Sequence, residues 1–280
     1  MTHAVVDAHV HFWEPRVLDY PWLDALPALR RPFLPPDYDQ ATDAIPVEKV
    51  VFVECNARPE QHLEEVELAE QLARMEPRIA GIVAFVDLRD AGRRARALDA
   101  FDRSPLVKGV RQNIQGQPAG FALDPAFVEG VREVGARDLT FDICATHDQL
   151  GEVAALVARC PQTRLVLDHC GKPPIRAAHF DRWARALDEV ARHANVCCKI
   201  SGLLSEAGPG WTEAGLHPYA AHARAVFGDQ RLMYGSDWPL VDDSGSWEAW
   251  YLFTARFTSE WPEASRRAFY HDTAVEVYRL

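Results

Sequence analysis

Positive charge is scarce in this chain. Thirty Lys and Arg face 41 Asp and Glu, a net charge of −11, and the acids are spread along the sequence rather than gathered in a tail. Neutralising a phosphate backbone takes a basic stripe, and without one nucleic acid is not expected as a partner. Long apolar runs are missing as well. "IAGIVAFV" (79–86) is among the longest, well short of the roughly 18 residues of a membrane span, so it reads as a core strand and no membrane partner is expected. The first residues show no basic stretch followed by an apolar segment and a cleavage site, so the expected location is cytoplasmic. None of the six cysteines forms a CxxC pair, and five lie in or beside apolar runs. They read as small buried hydrophobes in a reducing compartment rather than as disulfides or zinc ligands. No linker, low-complexity tract or internal repeat interrupts the chain. With 280 residues and 48% hydrophobic content, one domain over 1–280 has ample material for a core.

What the chain does have is eight short apolar runs. They are 5–12, 49–56, 79–88, 107–114, 139–145, 164–171, 196–203 and 231–239, with starts roughly 25–45 residues apart, the spacing of a repeated strand–helix unit. The stretches between them are amphipathic: 59–75, 124–135, 148–160 and 180–194 carry apolar residues at helical spacing. Asp124 and Pro125 make a helix start and Gly135 a helix stop. Such alternation predicts an α/β fold with a parallel sheet under helices, and eight units suit a single-domain (β/α)8 TIM barrel of about 250 residues. No GxGxxG follows an early strand, which argues against an open doubly wound sheet. The long connection 13–48, rich in Pro, Trp and Tyr, is expected to form a lid over the barrel mouth. A homo-oligomer is compatible with the sequence, although nothing in it specifies one.

The first run, "VVDAHVHF" (5–12), ends with two histidines one residue apart. Strand alternation predicts Asp7, His9 and His11 on one face and Val6, Ala8, Val10 and Phe12 on the other. Taken alone, an HxH pair is more often a hydrogen-bonded core pair than a ligand set. The other runs change the balance, because polar groups gather late in them: Glu54–Cys55–Asn56, Arg111–Gln112–Asn113, Asp168–His169, Lys199 with Ser201, and Gly235–Ser236–Asp237–Trp238–Pro239. In a closed α/β barrel those strand ends form the active site. Neutral imidazoles with a carboxylate are ligands for a catalytic zinc, and a carboxylate can alternatively act as general base toward water. Asp237 suits either role. Single residues stay open between a functional and a structural role. His147 is a ligand, a substrate contact, or a polar residue ahead of a helix cap. Glu54 faces the pocket or pairs with Lys49 or Arg58. Lys199 is catalytic or a salt bridge inside the barrel. Lys172 binds substrate or caps the turn before Pro173. His3 and the histidines on helical segments read as solvated or structural.

The stretches "DAHVHFWEP", "YPWL", "VKGVRQNIQ", "LVLDHCGKP", "CKISGL" and "RLMYGSDWP" resemble the amidohydrolase superfamily, more narrowly its sugar-lactonase, fuconolactonase-type branch. The resemblance runs over nearly the whole chain in order. It implies a (β/α)8 hydrolase that opens lactones of aldonic acids. By position, His9 and His11 would be metal ligands or substrate contacts, His169 a further ligand or carbonyl polariser, and Asp237 the base that activates water. Arg111, Gln112 and Asn113 would face substrate, with Trp13 and Trp238 lining the mouth. Two departures bear on metal. The fourth run has no lysine or carboxylate at its end, only Lys108 near its start, and the fifth ends without histidine, His147 following it. At most one divalent, zinc-like ion is therefore expected, on a subset of His9, His11, His169 and Asp237. Such an ion could be dispensable, because hydrogen-bond donors can stabilise the oxyanion of an electrophilic ester carbonyl. Few arginines lie at strand ends, which favours a neutral sugar lactone over a polycarboxylate. The alternatives are a zinc-dependent hydrolase or decarboxylase of a carboxylated unsaturated acid or lactone, and a non-catalytic barrel that binds a sugar acid.

Overall fold

A computed structural model describes residues 4–177 and 179–280, so His3 lies outside the described residues. Eight parallel strands follow one another in sequence order: β1 (Val5–Val10), β2 (Val47–Val53), β3 (Ile79–Phe85), β4 (Val107–Arg111), β5 (Thr140–Ile143), β6 (Arg164–Leu167), β7 (Val196–Ile200) and β8 (Leu232–Tyr234). Each falls inside one of the eight apolar runs, apart from the first two residues of β2. The ring closes between β1 and the residues after β8. Val10 bridges Trp238 in parallel, His11 N donates to Trp238 O at 2.8 Å, and Asp237 N donates to His9 O at 2.9 Å.

Helices cover the outside, close to where apolar periodicity places them. The helix Pro125–Ala136 starts on Asp124, whose side chain accepts from Ala126 N at 2.8 Å, satisfying one of the amides that a helix start leaves unpaired. The 59–75 stretch begins with a 3-10 turn and becomes α-helical over His62–Met75. Most of the core lies between sheet and helices, and a second cluster fills the barrel itself. Val6, Ala8, Val51, Val53, Val83, Val166 and Met233 form it, and Ala274, Val277 and Tyr278 of the last helix, Thr273–Tyr278, plug it from below. Among the described residues, no helix is long and apolar enough to cross a membrane. All six cysteines are free thiols, five buried and Cys197 half-buried.

The simple alternation expected of β1 does not hold. Its register against β2 slips between Asp7 and Val10, a β-bulge that puts an extra residue on this strand. Val6 and Ala8 point into the barrel. Asp7 instead accepts hydrogen bonds from Tyr38 Oη (2.8 Å) and Trp247 Nε1 (2.9 Å), on two of the outer helices, and from Ser236 N (2.8 Å). The bulge thus sends Asp7 outward while His9 and His11 turn inward.

The 13–48 connection is packed down on the rim. Trp13 and Phe33 form an antiparallel bridge, exchanging N–H···O bonds of 3.0 and 2.9 Å. Leu18, Tyr20, Leu23 and Tyr38 are buried beside them.

Candidate active site

The polar strand ends converge on a cavity of about 250 Å³ at the C-terminal mouth of the barrel. A larger groove of about 740 Å³ runs along the outer wall, between the helices Glu213–Phe227 and Trp247–Phe257, and meets no strand end. The smaller cavity is therefore the candidate site. His11 lies at its floor, and the fully buried His9 just beneath brings its Nε2 to 3.1 Å from His11 Nε2. Asp237 Oδ1 is 3.7 Å from His9 Nε2, 3.5 Å from His11 Nε2 and 3.9 Å from His169 Nε2.

Local backbone geometry sets these side chains in place. His169 and Asp237 have φ of 55° and 64°, in the left-handed region, which costs non-glycine residues about 1–3 kcal/mol each and clusters at functional sites. Gly202 makes room for the His169 ring, since a Cβ there would come within 2.6 Å of Nδ1. His11 Nδ1 donates to the Val53 carbonyl at 2.8 Å, which leaves its Nε2 free to face Asp237. His169 Nδ1 pairs with Ser201 Oγ at 2.8 Å.

Burial pushes His9 and His169 well below the ordinary histidine range, so both are neutral imidazoles. For Asp237, burial opposes ionisation, but His169, His11 and Lys172 outweigh it and hold the carboxyl below its usual value. It is ionised at neutral pH, and its Oδ1 is buried without a hydrogen-bond partner.

Beneath this layer lies a set of buried charges. Arg111 donates through Nε to Glu54 Oε1 (2.6 Å) and through Nη2 to the Glu54 carbonyl (2.7 Å), and its Nη1 lies 3.5 Å from Asp168 Oδ2. Lys199 Nζ contacts Asp142 Oδ2 (2.6 Å), Asp168 Oδ1 (3.1 Å) and His9 Nδ1 (3.2 Å). Burial would discharge Lys199, but Asp142 and Asp168 more than offset it and raise its pKa. Tyr278 Oη reaches Asp142 Oδ2 at 2.6 Å from the barrel bottom. Arg111 and Lys199 thus face three buried carboxylates, Glu54, Asp142 and Asp168, while Asp237 above them has only the half-buried Lys172 as a cation nearby.

The donors fit a single divalent metal. Tetrahedral zinc with ligands at about 2.0–2.1 Å separates its donor atoms by about 3.3 Å. The Nε2 and Oδ1 atoms of His9, His11 and Asp237 lie 3.1–3.7 Å apart, with His169 slightly farther out. The unpartnered Asp237 oxygen and the surplus of buried carboxylate are what a cation would compensate.

The other expected site residues separate into three groups. Arg111, Asn113 and Trp13 line the cavity. Glu54 and Lys199 lie beneath it. Glu54 pairs with Arg111 rather than with Lys49 or Arg58, and Lys199 is the ammonium inside the barrel. Three residues point elsewhere. Gln112 faces away because alternation turns it opposite Arg111 and Asn113, and its Oε1 accepts from Leu88 N at 2.9 Å. Trp238 is buried among Phe12, Phe33 and Tyr38, an aromatic wedge under the rim and no part of the cavity lining. His147 sits in the short 3-10 turn His147–Gln149, also outside the lining. Asn56, one of the polar strand-end groups of the second run, lines the cavity too, and so do Trp22 and Gln115, which the sequence reading did not single out. That reading also passed over Asp142, because one acid inside the apolar run "LTFDICA" gave no signal of its partner 57 residues away.

Neutral imidazoles around an ionised aspartate, at the mouth of a parallel barrel, are the equipment of a hydrolase that sets water against a polarised carbonyl. The chain belongs to the Amidohydrolase family, whose model matches residues 6–280. It is 33% identical over 284 residues to an L-fucono-1,5-lactonase of Burkholderia ambifaria, covering 98% of this chain and 95% of that protein. A 4-sulfomuconolactone hydrolase of Rhizobium radiobacter is 26% identical over 250 residues, covering 83% of this chain and 75% of that one. Among solved structures, an amidohydrolase from Burkholderia multivorans with bound zinc superposes with a TM-score of 0.88 at 33% identity, covering 99% of both chains.

Proposed function

We propose that this protein hydrolyses the ring ester of a neutral sugar lactone, with Asp237 as the base. The observation that carries the reading is the Asp237 carboxylate itself: ionised, unpartnered at Oδ1, and ringed by imidazole nitrogens at 3.5–3.9 Å on the floor of a cavity. The lining favours a neutral ring. Arg111 already serves Glu54 and Asp168, so it has no free fork for a substrate carboxylate. Asn56, Asn113 and Gln115 offer amides to hydroxyl groups, and Trp13 and Trp22 offer apolar faces to ring carbons. The L-fucono-1,5-lactonase relative acts on a substrate of this kind.

In this mechanism Asp237 takes a proton from water as the water oxygen bonds to the lactone carbonyl carbon. The carbonyl oxygen gains negative charge, and His169, held by Ser201, presents Nε2 to it from one side. The ring C–O bond then breaks, Asp237 returns its proton to the departing alkoxide, and a hydroxy acid is released. His9, His11 and Asp237, with His169 nearby, would hold one divalent cation, which when bound supplies Lewis-acid polarisation of the carbonyl and lowers the pKa of water.

The test is a panel of L- and D-aldonolactones, with acid release followed by a pH indicator before and after chelation. Hydrolysis that survives chelation supports base catalysis without metal. Hydrolysis lost on chelation and restored by one equivalent of zinc supports the metal-assisted form. No turnover of any sugar lactone overturns the reading. Weight then passes to a carboxylated or sulfonated lactone, of the kind named for the Rhizobium radiobacter relative.

A further inference from the structure

A second cavity of about 150 Å³ adjoins the first, and His169, Lys172, Asp237 and Leu240 line both. Its far wall comes from the short helix Leu203–Ala207, which contributes Ser205 and Glu206, while Leu26 and Leu29 of the rim connection roof it. Among the described residues, neither the Lys172 ammonium nor the Glu206 carboxylate has a hydrogen-bond or ion-pair partner, and Ser205 Oγ is buried without one. Lys172, Ser205 and Glu206 are half-buried side chains, and a buried hydroxyl such as Ser205 Oγ is costly to leave unpaired. Asp237, 5% exposed, adds its own unpartnered oxygen from the shared wall.

We propose that this cavity is a second subsite of the same centre and binds a hydroxylated substituent of the lactone ring, with Glu206 accepting the hydroxyl proton and Lys172 or Ser205 donating to its oxygen. The polar set selects the ligand. Glu206, Asp237 and the exposed Asp243, three carboxylates against the single Lys172 ammonium, would repel a carboxylate or sulfonate. A hydroxyl both donates and accepts, so it satisfies carboxylate and ammonium together. The leucines suit the carbon that carries it. The inference rests on the lactonase reading for the identity of the ring, and it predicts a preference for an exocyclic CH2OH over the CH3 of a 6-deoxy lactone.

Two unreactive ring ethers, 1,5-anhydro-L-galactitol and its 6-deoxy form 1,5-anhydro-L-fucitol, separate the two claims by calorimetric titration. The native protein should bind the 6-hydroxy ether about tenfold more tightly. Glu206→Leu should bring that preference within twofold, and Ser205→Val should reduce it, which keeps the test decisive if the first variant misfolds. Equal binding of the two ethers, no binding of either, or a preference that survives both variants overturns the subsite. The corresponding lactones are assayed in parallel. If neither turns over, the lactonase reading fails, while the ether titration still judges the subsite.

Discussion

Replacing Asp237 by Asn keeps the shape of the side chain and removes its ability to take a proton. The carboxylate is held below the ordinary 3.8, so at neutral pH essentially every molecule carries the base in its working form. General-base catalysis contributes about 10²–10⁴ in rate, equivalent to about 2.7–5.4 kcal/mol of barrier. Asp237→Asn should therefore lower kcat by that factor and leave KM within a few-fold, because the group acts on water and the lactone ring is held largely by the cavity walls. The pH profile sharpens the test. A base works when deprotonated, so native activity rises with pH through the Asp237 pKa and is level from about pH 5 upward, whereas the variant should lack that acid limb. Initial rates on an aldonolactone from pH 3.5 to 8, with bound zinc measured on both proteins, separate loss of the base from loss of an ion. A variant that keeps more than a tenth of native kcat would refute the assignment.

Lys199→Met removes the ammonium between Asp142 and Asp168 and leaves two buried carboxylates without their cation. Breaking such a pair costs about 3–5 kcal/mol, so differential scanning fluorimetry should show the midpoint lowered by about 5–9 °C; a change under 2 °C would mean that the pair carries no stability. Glu65 is a further buried acid, raised to about 8 by burial and then by Glu54. The folded state therefore binds its proton more tightly than the unfolded chain, and stability falls as pH rises from about 5 to 8, by at most about 1.4 kcal/mol per pH unit. Glu65→Gln keeps an acceptor for Cys55 N and should flatten that slope in denaturant titrations at pH 5, 7 and 8.5, while an unchanged slope would show that Glu65 is not its source.

The barrel was legible because each strand is an apolar run bounded by turn residues, and a parallel strand buried on both faces reads in that way. His9, His11, His169 and Asp237 were legible for a related reason: a polar group late in an apolar strand has few uses other than the mouth. The orientation of Asp7 was not legible, since a β-bulge is a property of two paired strands and leaves no trace in one. Gln112 could have been placed from period-two alternation alone, because Arg111 and Asn113 flank it on the opposite face. Glu54 illustrates the remaining gap. Its neighbours in sequence, Lys49 and Arg58, suggested local pairs, but the partner it found is 57 residues away across two strands. Trp238 was misplaced because an aromatic beside a candidate base resembles a substrate platform until the wedge of Phe12, Phe33 and Tyr38 is seen.

The seam between β1 and the residues after β8 has a consequence for how the protein becomes functional as it is made. Asp237 N is tied to His9 O, and Ser236 N to Asp7 Oδ1, 229 residues away. His9 and His11 emerge from the ribosome near the beginning of synthesis and the Asp237 carboxylate near its end, and the same bonds that bring them together close the ring. A nascent chain stalled before residue 236 carries His9, His11 and His169 without the Asp237 carboxylate that they face in the closed ring. With Asp237 as the proposed base, completion of the site and closure of the barrel are a single event, and the appearance of activity during translation or refolding would report the moment the two ends of the sheet meet.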